Sequence, residues 1–132
     1  GFSQDAERMT RRLVAAMQAR RVDIIAHPTG RLIGKREAYG VNIEEVLEAA
    51  AETQTALEVN CYPERLDLND AHCRLAKEMG VKIAICTDAH STTMLDYMRL
   101  GVMTAARGWI EPEDVINTSE PEELLRWLRR RQ

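Results

Sequence analysis

The sequence predicts an α/β fold, about three parallel strands with flanking helices, and two observations predict it. Short apolar runs alternate with stretches of helical periodicity, which is the order of β-α-β units. Each apolar run also closes on polar residues that a simple connection does not need. These are His27 after the first run, Glu58 and Asn60 at the end of the second, and Asp88 and His90 after the third. In parallel sheets the chemistry collects at the carboxyl ends of the strands, so this polarity points to a site there.

The elements follow in order. Met9, Leu13, Ala16 and Met17 recur at helical spacing, and Ser3 or Asp5 can cap that first helix. Val22 to Ala26 reads as a short buried strand ending at His27. Pro28 and Gly30 open a loop to about Gly40. Asn42 caps the second helix with Glu45 in capping-box position, and its apolar stripe is Ile43, Val46, Leu47 and Ala50. Ala56 to Asn60 is the second strand, stopped by Pro63. Asp67 or Asn69 starts a third helix with Ala71, Leu75, Ala76 and Met79 inside and Gly80 as its stop. Val81 to Cys86 is the third strand. Ser91 caps a short helix that Gly101 ends, a further helical turn follows Pro112, and Ser119 to Glu122 reads as a capping box for a last helix carrying Leu124, Leu125 and Leu128. The pattern contains no internal repeat, and residues 1–132 read as one domain.

Composition narrows the class. Hydrophobic residues make up 45% of the 132 and aromatics only 5%, so the core is built from aliphatic side chains. A net charge of −3 excludes a polyanion binder of the strongly basic kind. The three cysteines, Cys61, Cys73 and Cys86, are too few and too scattered for a disulfide framework or a cysteine-based zinc motif. A reducing, cytoplasmic setting suits them. The chain begins at Gly1 and not at Met, so an upstream part is expected.

Side chains alternate faces along a strand. His27 then shares a face with Ile25, Glu58 with Asn60, and Asp88 with Cys86 and Ala84. Small apolar residues giving way to polar ones at the mouth is what a barrel interior would show. Imidazole nitrogen and carboxylate oxygen are donors for divalent zinc and manganese. Such ions polarise phosphoryl oxygens and lower the pKa of bound water. Asp88-Ala89-His90 can therefore present two ligands to one cluster, with His27 reaching it from another strand. Glu58 and Asn60 are supporting groups that orient a neighbour or pair with a cation. Arg31, Lys35 and Arg36, in the loop after His27, can hold substrate phosphates; the alternative for them is a solvated charged loop. The arginines of the first helix, and Arg126, Arg129, Arg130 and Arg131, read as solvated faces. His72 reads as a boundary residue, Cys61 and Cys86 as inert packing, and Trp109 and Trp127 as core or docking residues.

Three segments together carry a resemblance: His27-Pro28-Thr29-Gly30-Arg31; Glu58-Val59-Asn60 with Pro63-Glu64-Arg65-Leu66-Asp67-Leu68; and Thr87-Asp88-Ala89-His90-Ser91. In this order they resemble the PHP (polymerase and histidinol phosphatase) domain, in the form found at the C-terminus of bacterial family X DNA polymerases. Tyr97-Met98-Arg99-Leu100-Gly101 and Ala106-Arg107-Gly108-Trp109 extend the resemblance over almost the whole chain. It implies the C-terminal portion of a distorted (β/α)7 TIM-like barrel and a cluster of up to three manganese or zinc ions. It also implies hydrolysis of DNA phosphodiesters as a 3′→5′ exonuclease in DNA repair. On this resemblance His27, Asp88 and His90 are catalytic metal ligands, each serving a different ion. The early His-x-His, further histidines and bridging glutamate of the pattern have no counterpart here. The isolated chain is therefore expected to be inactive, without tight metal binding, and to self-associate through two open sheet edges. A free-standing PHP phosphatase of the histidinol-phosphatase type and a non-catalytic polymerase scaffold are the competing readings. DNA is the expected partner of the full-length protein.

Overall fold

The computed structural model describes residues 2–131. The chain runs α1 (Phe2–Gln18), β1 (Ile24–Ile25), α2 (Ile43–Thr53), β2 (Ala56–Asn60), α3 (Asp70–Glu78), β3 (Ile83–Cys86), a 3-10 helix (Thr92–Tyr97), α4 (Met98–Arg107), two further 3-10 turns (Pro112–Asp114 and Ile116–Thr118) and α5 (Pro121–Leu128). The strands form one parallel sheet in the order β1-β2-β3. Ile24 stands beside Ala56, Glu58 beside Ala84 and Asn60 beside Cys86.

Alternation along the strands makes two unlike faces. Leu57, Val59, Ile83 and Ile85 join Ile25 and the buried residues of the helices, among them Met17, Val46, Leu47 and Ala76, in the main core. Burying an aliphatic side chain of this size contributes about 2 kcal/mol. The opposite face carries Ala56, Glu58 and Asn60 on β2 and Ala84 and Cys86 on β3. Ala56 and Ala84 are covered by Ile116, Leu124 and Trp127. That face therefore rises from small apolar residues to Glu58 and Asn60, the gradient that parity predicts for β2 and β3, whereas Ile25 pairs with Leu57 and faces the main core, so parity alone would turn His27 away from this face.

The helix ends show which signals governed. The Asn42 side chain accepts from Glu45 N–H at 3.3 Å, and the Asn69 side chain from His72 N–H at 2.8 Å. Asp67 is no helix start: it is fully buried and bridges back to Asn60. α1 is already helical at Phe2, so Ser3 and Asp5 lie inside the helix, and the position that would cap it falls outside the described residues. Ala71 faces solvent, and Cys73 takes the buried position. Gly101 does not end a helix. It sits within α4, pressed so closely on the Cys61 sulfur that a Cβ would collide with it. The last helix has Glu120, not Ser119, at its cap position, with Pro121 in its first turn and no side-chain cap bond.

One of the two expected open edges is closed. The Asn117 side chain accepts from Ile85 N–H at 3.0 Å and donates to Ile85 C=O at 2.8 Å, and Val115 bridges Ile83 in parallel. A side-chain amide thus supplies what a neighbouring strand would. The C-terminal arginines are not a free end either. Arg130 binds Asp23 Oδ1 at 3.0 Å and Gln54 O at 2.6 Å, and Arg131 binds the carbonyls of Val22 and Thr53 and the Thr55 hydroxyl. They fasten the chain end to the amino end of the sheet and to the last carbonyls of α2.

Candidate active site

Of the polar groups predicted at the strand ends, the Glu58, Asn60 and Asp88 side chains meet the His27 backbone at the carboxyl end of the sheet. Glu58, nearly buried at the end of β2, accepts the backbone N–H of His27 on Oε2 at 2.6 Å. The same oxygen lies 3.4 Å from Asn60 Nδ2, which also donates to Asp88 Oδ2 at 3.2 Å. Glu58 and Asn60 thereby tie the segment after β1 to the segment after β3. Burial pushes the Glu58 carboxyl above its usual range, against the opposing pull of the His27 amide and the Asn60 side chain.

The backbone turns sharply where two of the predicted ligands sit. His27 has φ +30° and Asp88 φ +55°, the left-handed region that L residues enter at a cost of about 1–2 kcal/mol. Parity therefore stops at Ile25 and Cys86, and the turns themselves aim the residues beyond them. The turn at His27 is held from both sides. Gly30 N–H donates to His27 C=O at 3.0 Å, and Asp67 Oδ2 accepts from Thr29 and Gly30 N–H, each at 3.0 Å. Gly30 itself has φ +63°, and the Tyr39 ring lies where its side chain would be.

His90, exposed beyond β3, has Nδ1 at 2.7 Å from Asp88 C=O. A carbonyl only accepts, so Nδ1 carries a proton and, in the neutral ring, Nε2 is the nitrogen with the lone pair. That arrangement suits a histidine that ligates a metal through Nε2. The donor types thus fit zinc or manganese. Among the described residues, however, no three His, Cys, Asp or Glu side chains stand close enough together to hold an ion. The chain supplies donors of the right chemistry without completing a site.

The chain resembles known proteins in sequence. No family model matches the chain. It is 45% identical over 129 residues to the DNA polymerase/3'-5' exonuclease PolX of Bacillus subtilis (strain 168), covering 98% of this chain and 23% of that protein. A probable phosphatase of Thermoanaerobacter sp. (strain X514) is 33% identical over 122 residues, 88% of this chain and 47% of its own length. One from Shewanella sp. (strain ANA-3) is 31% identical over 132 residues, covering 92% and 48%. The chain is a homologue of both kinds of protein. It spans about a quarter of the first and about half of the others.

The remaining candidates have partners of their own. Arg31 donates from Nε to Arg65 C=O at 2.6 Å and from Nη2 to Leu66 C=O at 2.5 Å. Arg36 forks onto Gly30 C=O at 3.1 and 2.7 Å. Lys35 pairs with Glu64 at 2.9 Å. Arg31 thus ties the loop to the turn after β2, and Arg36 holds the loop's own geometry. His72 is half-buried, and burial lowers its pKa. Burial pushes the Cys61 and Cys73 thiols up to about 12 and Cys86 to about 11, which leaves them protonated and unreactive at neutral pH. Trp109 is not a core residue: it is 62% exposed, with the Arg74 guanidinium 3.5 Å from its ring centre. Trp127 packs beneath the sheet and under Arg130.

Two residues beside the site were not among the predicted site residues, Tyr62 and Arg65, although Arg65 belongs to the Pro63-to-Leu68 segment that carries the resemblance. Arg65 Nε lies 4.0 Å from Asp88 Oδ2, and both Tyr62 and Arg65 line a cavity of about 360 Å³ with Leu32, Asp88, His90 and Met94. For Tyr62 the signal was its spacing of three from Arg65, which places two side chains together only if a turn follows the strand.

Proposed function

We propose that this chain is the C-terminal part of a PHP-type, metal-dependent phosphoesterase domain whose parent is a family X DNA polymerase acting on DNA 3′ ends in repair. One observation carries the reading: the Asn60 side chain bridges Glu58 and Asp88, so that the ends of β2 and β3 and the His27 backbone form one polar cluster. Its homology to a DNA polymerase/3'-5' exonuclease and to probable phosphatases supports phosphoester chemistry and favours the polymerase-linked form, where identity is higher.

In this reading His27, Asp88 and His90 hold manganese or zinc together with donors from parts of the parent outside this chain. The relatives, at least about twice as long as the chain, leave room for such parts. A bound ion of this kind supplies Lewis acidity toward phosphoryl oxygen and a hydroxide near neutral pH. The chain's own residues set the geometry. Asn60 orients the Asp88 carboxylate, Glu58 fixes the His27 backbone, and the Asp88 carbonyl fixes the His90 tautomer.

The test is hydrolysis by the full-length protein of a DNA 3′ end and of a small phosphate monoester, each with manganese. The DNA end is the expected substrate, and Asp88→Asn should lower its turnover about a hundredfold or more. Hydrolysis of the monoester alone would establish the free-standing phosphatase. Undiminished DNA hydrolysis by the variant would overturn the role given to Asp88.

A further inference from the structure

The side of the site formed by the turn after β2 has no part in the metal-donor reading. Arg65 N–H and Leu66 N–H both donate to Tyr62 C=O, at 2.7 and 3.0 Å. A turn of this kind puts residues three apart on one side, and Tyr62 and Arg65 do line the same cavity with Leu32, Asp88, His90 and Met94. Asn60 fastens the turn: its Oδ1 accepts Tyr62 N–H at 3.0 Å while its Nδ2 holds Asp88. One buried side chain therefore sets the turn and the Asp88 carboxylate relative to each other.

The lining divides by chemistry. Leu32, Tyr62 and Met94 are apolar or flat, whereas Arg65, Asp88 and His90 are polar. The Tyr62 ring is steadied by Tyr97, edge to face at 5.9 Å. Arg65 differs from the other cations nearby. Arg31 and Arg36 are engaged by carbonyls at short range and Lys35 by Glu64, while Arg65 makes one long bond of 3.5 Å to Arg31 C=O and a loose ion pair of 4.0 Å with Asp88. A guanidinium has five N–H donors, so most of those on Arg65 remain available beside Asp88. A volume of about 360 Å³ is in the range of small-ligand sites.

We propose that Tyr62 and Arg65 form the substrate-recognition subsite: Arg65 takes a phosphate next to Asp88, Tyr62 lies against an aromatic base, and the site thereby selects a nucleotide over a sugar phosphate. The subsite rests on the phosphoesterase reading for its place in a reaction, and on its own geometry for binding.

The experiment titrates the 132-residue chain, without metal, with deoxyadenosine 5′-monophosphate and with deoxyribose 5-phosphate, and reads binding by NMR shifts. The nucleotide should bind about fivefold or more tightly than the sugar phosphate, from stacking. Tyr62→Ala should abolish that difference and Tyr62→Phe keep it. Arg65→Met should weaken both ligands about tenfold, with circular dichroism showing each variant folded. Equal binding of the two ligands, no binding of either, or unchanged binding by Arg65→Met would overturn the proposal. Selective binding in a chain whose full-length protein hydrolyses no phosphoester would leave the subsite standing and remove the phosphoesterase reading. Hydrolysis of DNA ends with no selectivity traceable to Tyr62 would do the reverse.

Discussion

The Asn60 amide nitrogen lies 3.2 Å from the Asp88 carboxylate, across the gap between the ends of β2 and β3. With its oxygen on Tyr62 N–H and its nitrogen also near Glu58, this buried side chain is the joint of the site.

Removing the joint should cost stability as well as geometry. Asn60→Ala leaves the Tyr62 amide and the Glu58 carboxylate short of a partner, at a cost of about 1–3 kcal/mol. Urea unfolding measures this, and a loss below about 0.5 kcal/mol would show that the bridge is incidental.

Gly101 offers a test of close packing. Elsewhere in a helix Gly→Ala stabilises by about 0.5–1 kcal/mol. Here the new methyl group meets the Cys61 sulfur and the Ile85 side chain, so Gly101→Ala should destabilise by about 1–3 kcal/mol. In a Cys61→Ala background the penalty should shrink, a coupling that a double-mutant cycle measures.

The end of the chain gives a third. Arg131 reaches the carbonyls of Val22 and Thr53 and the Thr55 hydroxyl. Arg131→Ala should lower stability by about 1–3 kcal/mol, read by thermal unfolding. A solvated chain end would give no change.

Asp67 sets a pH dependence. Burial raises its pKa above the ordinary carboxylate value, although the Thr29 and Gly30 amides pull the other way. A carboxyl whose folded pKa lies above its unfolded one binds more protons in the folded state across that interval. Its contribution is then full below the unfolded pKa and is lost as pH rises through the folded pKa. Asp67→Asn keeps an oxygen for the two amides and removes the titration. The urea midpoint of the variant should fall less than that of the parent as pH rises from about 4 toward neutrality. Parallel profiles would contradict this.

Much of this was legible in the sequence, and the exceptions have physical causes. β2 was readable in full because Leu57 and Val59 alternate with other side chains in a short segment bounded by Pro63, and Asn42 is readable as a cap because its partner amide is local. β1 shrinks to Ile24–Ile25 because pairing with β2, which sequence does not display, sets its ends. Gly101 resembles a stop because a glycine required by close approach to Cys61 is indistinguishable, in one dimension, from one required by a positive φ. Arg130 and Arg131 resemble a solvated end because their partners are 76 to 109 residues away. The strand-end residues are legible at the site because parallel topology dictates which end of the sheet they share. Arg31, Lys35 and Arg36 stand out in the sequence for charge alone, and charge does not reveal that a backbone carbonyl or Glu64 already holds it.

The central claim is that His27, Asp88 and His90 are metal donors of a larger site. Its most direct test is the manganese or zinc content of the full-length protein and of His27→Ala, Asp88→Ala and His90→Ala, measured by mass spectrometry of the purified proteins after metal loading. Each variant should retain less metal than the parent, with its fold intact by circular dichroism. Unchanged metal content in all three would contradict the account.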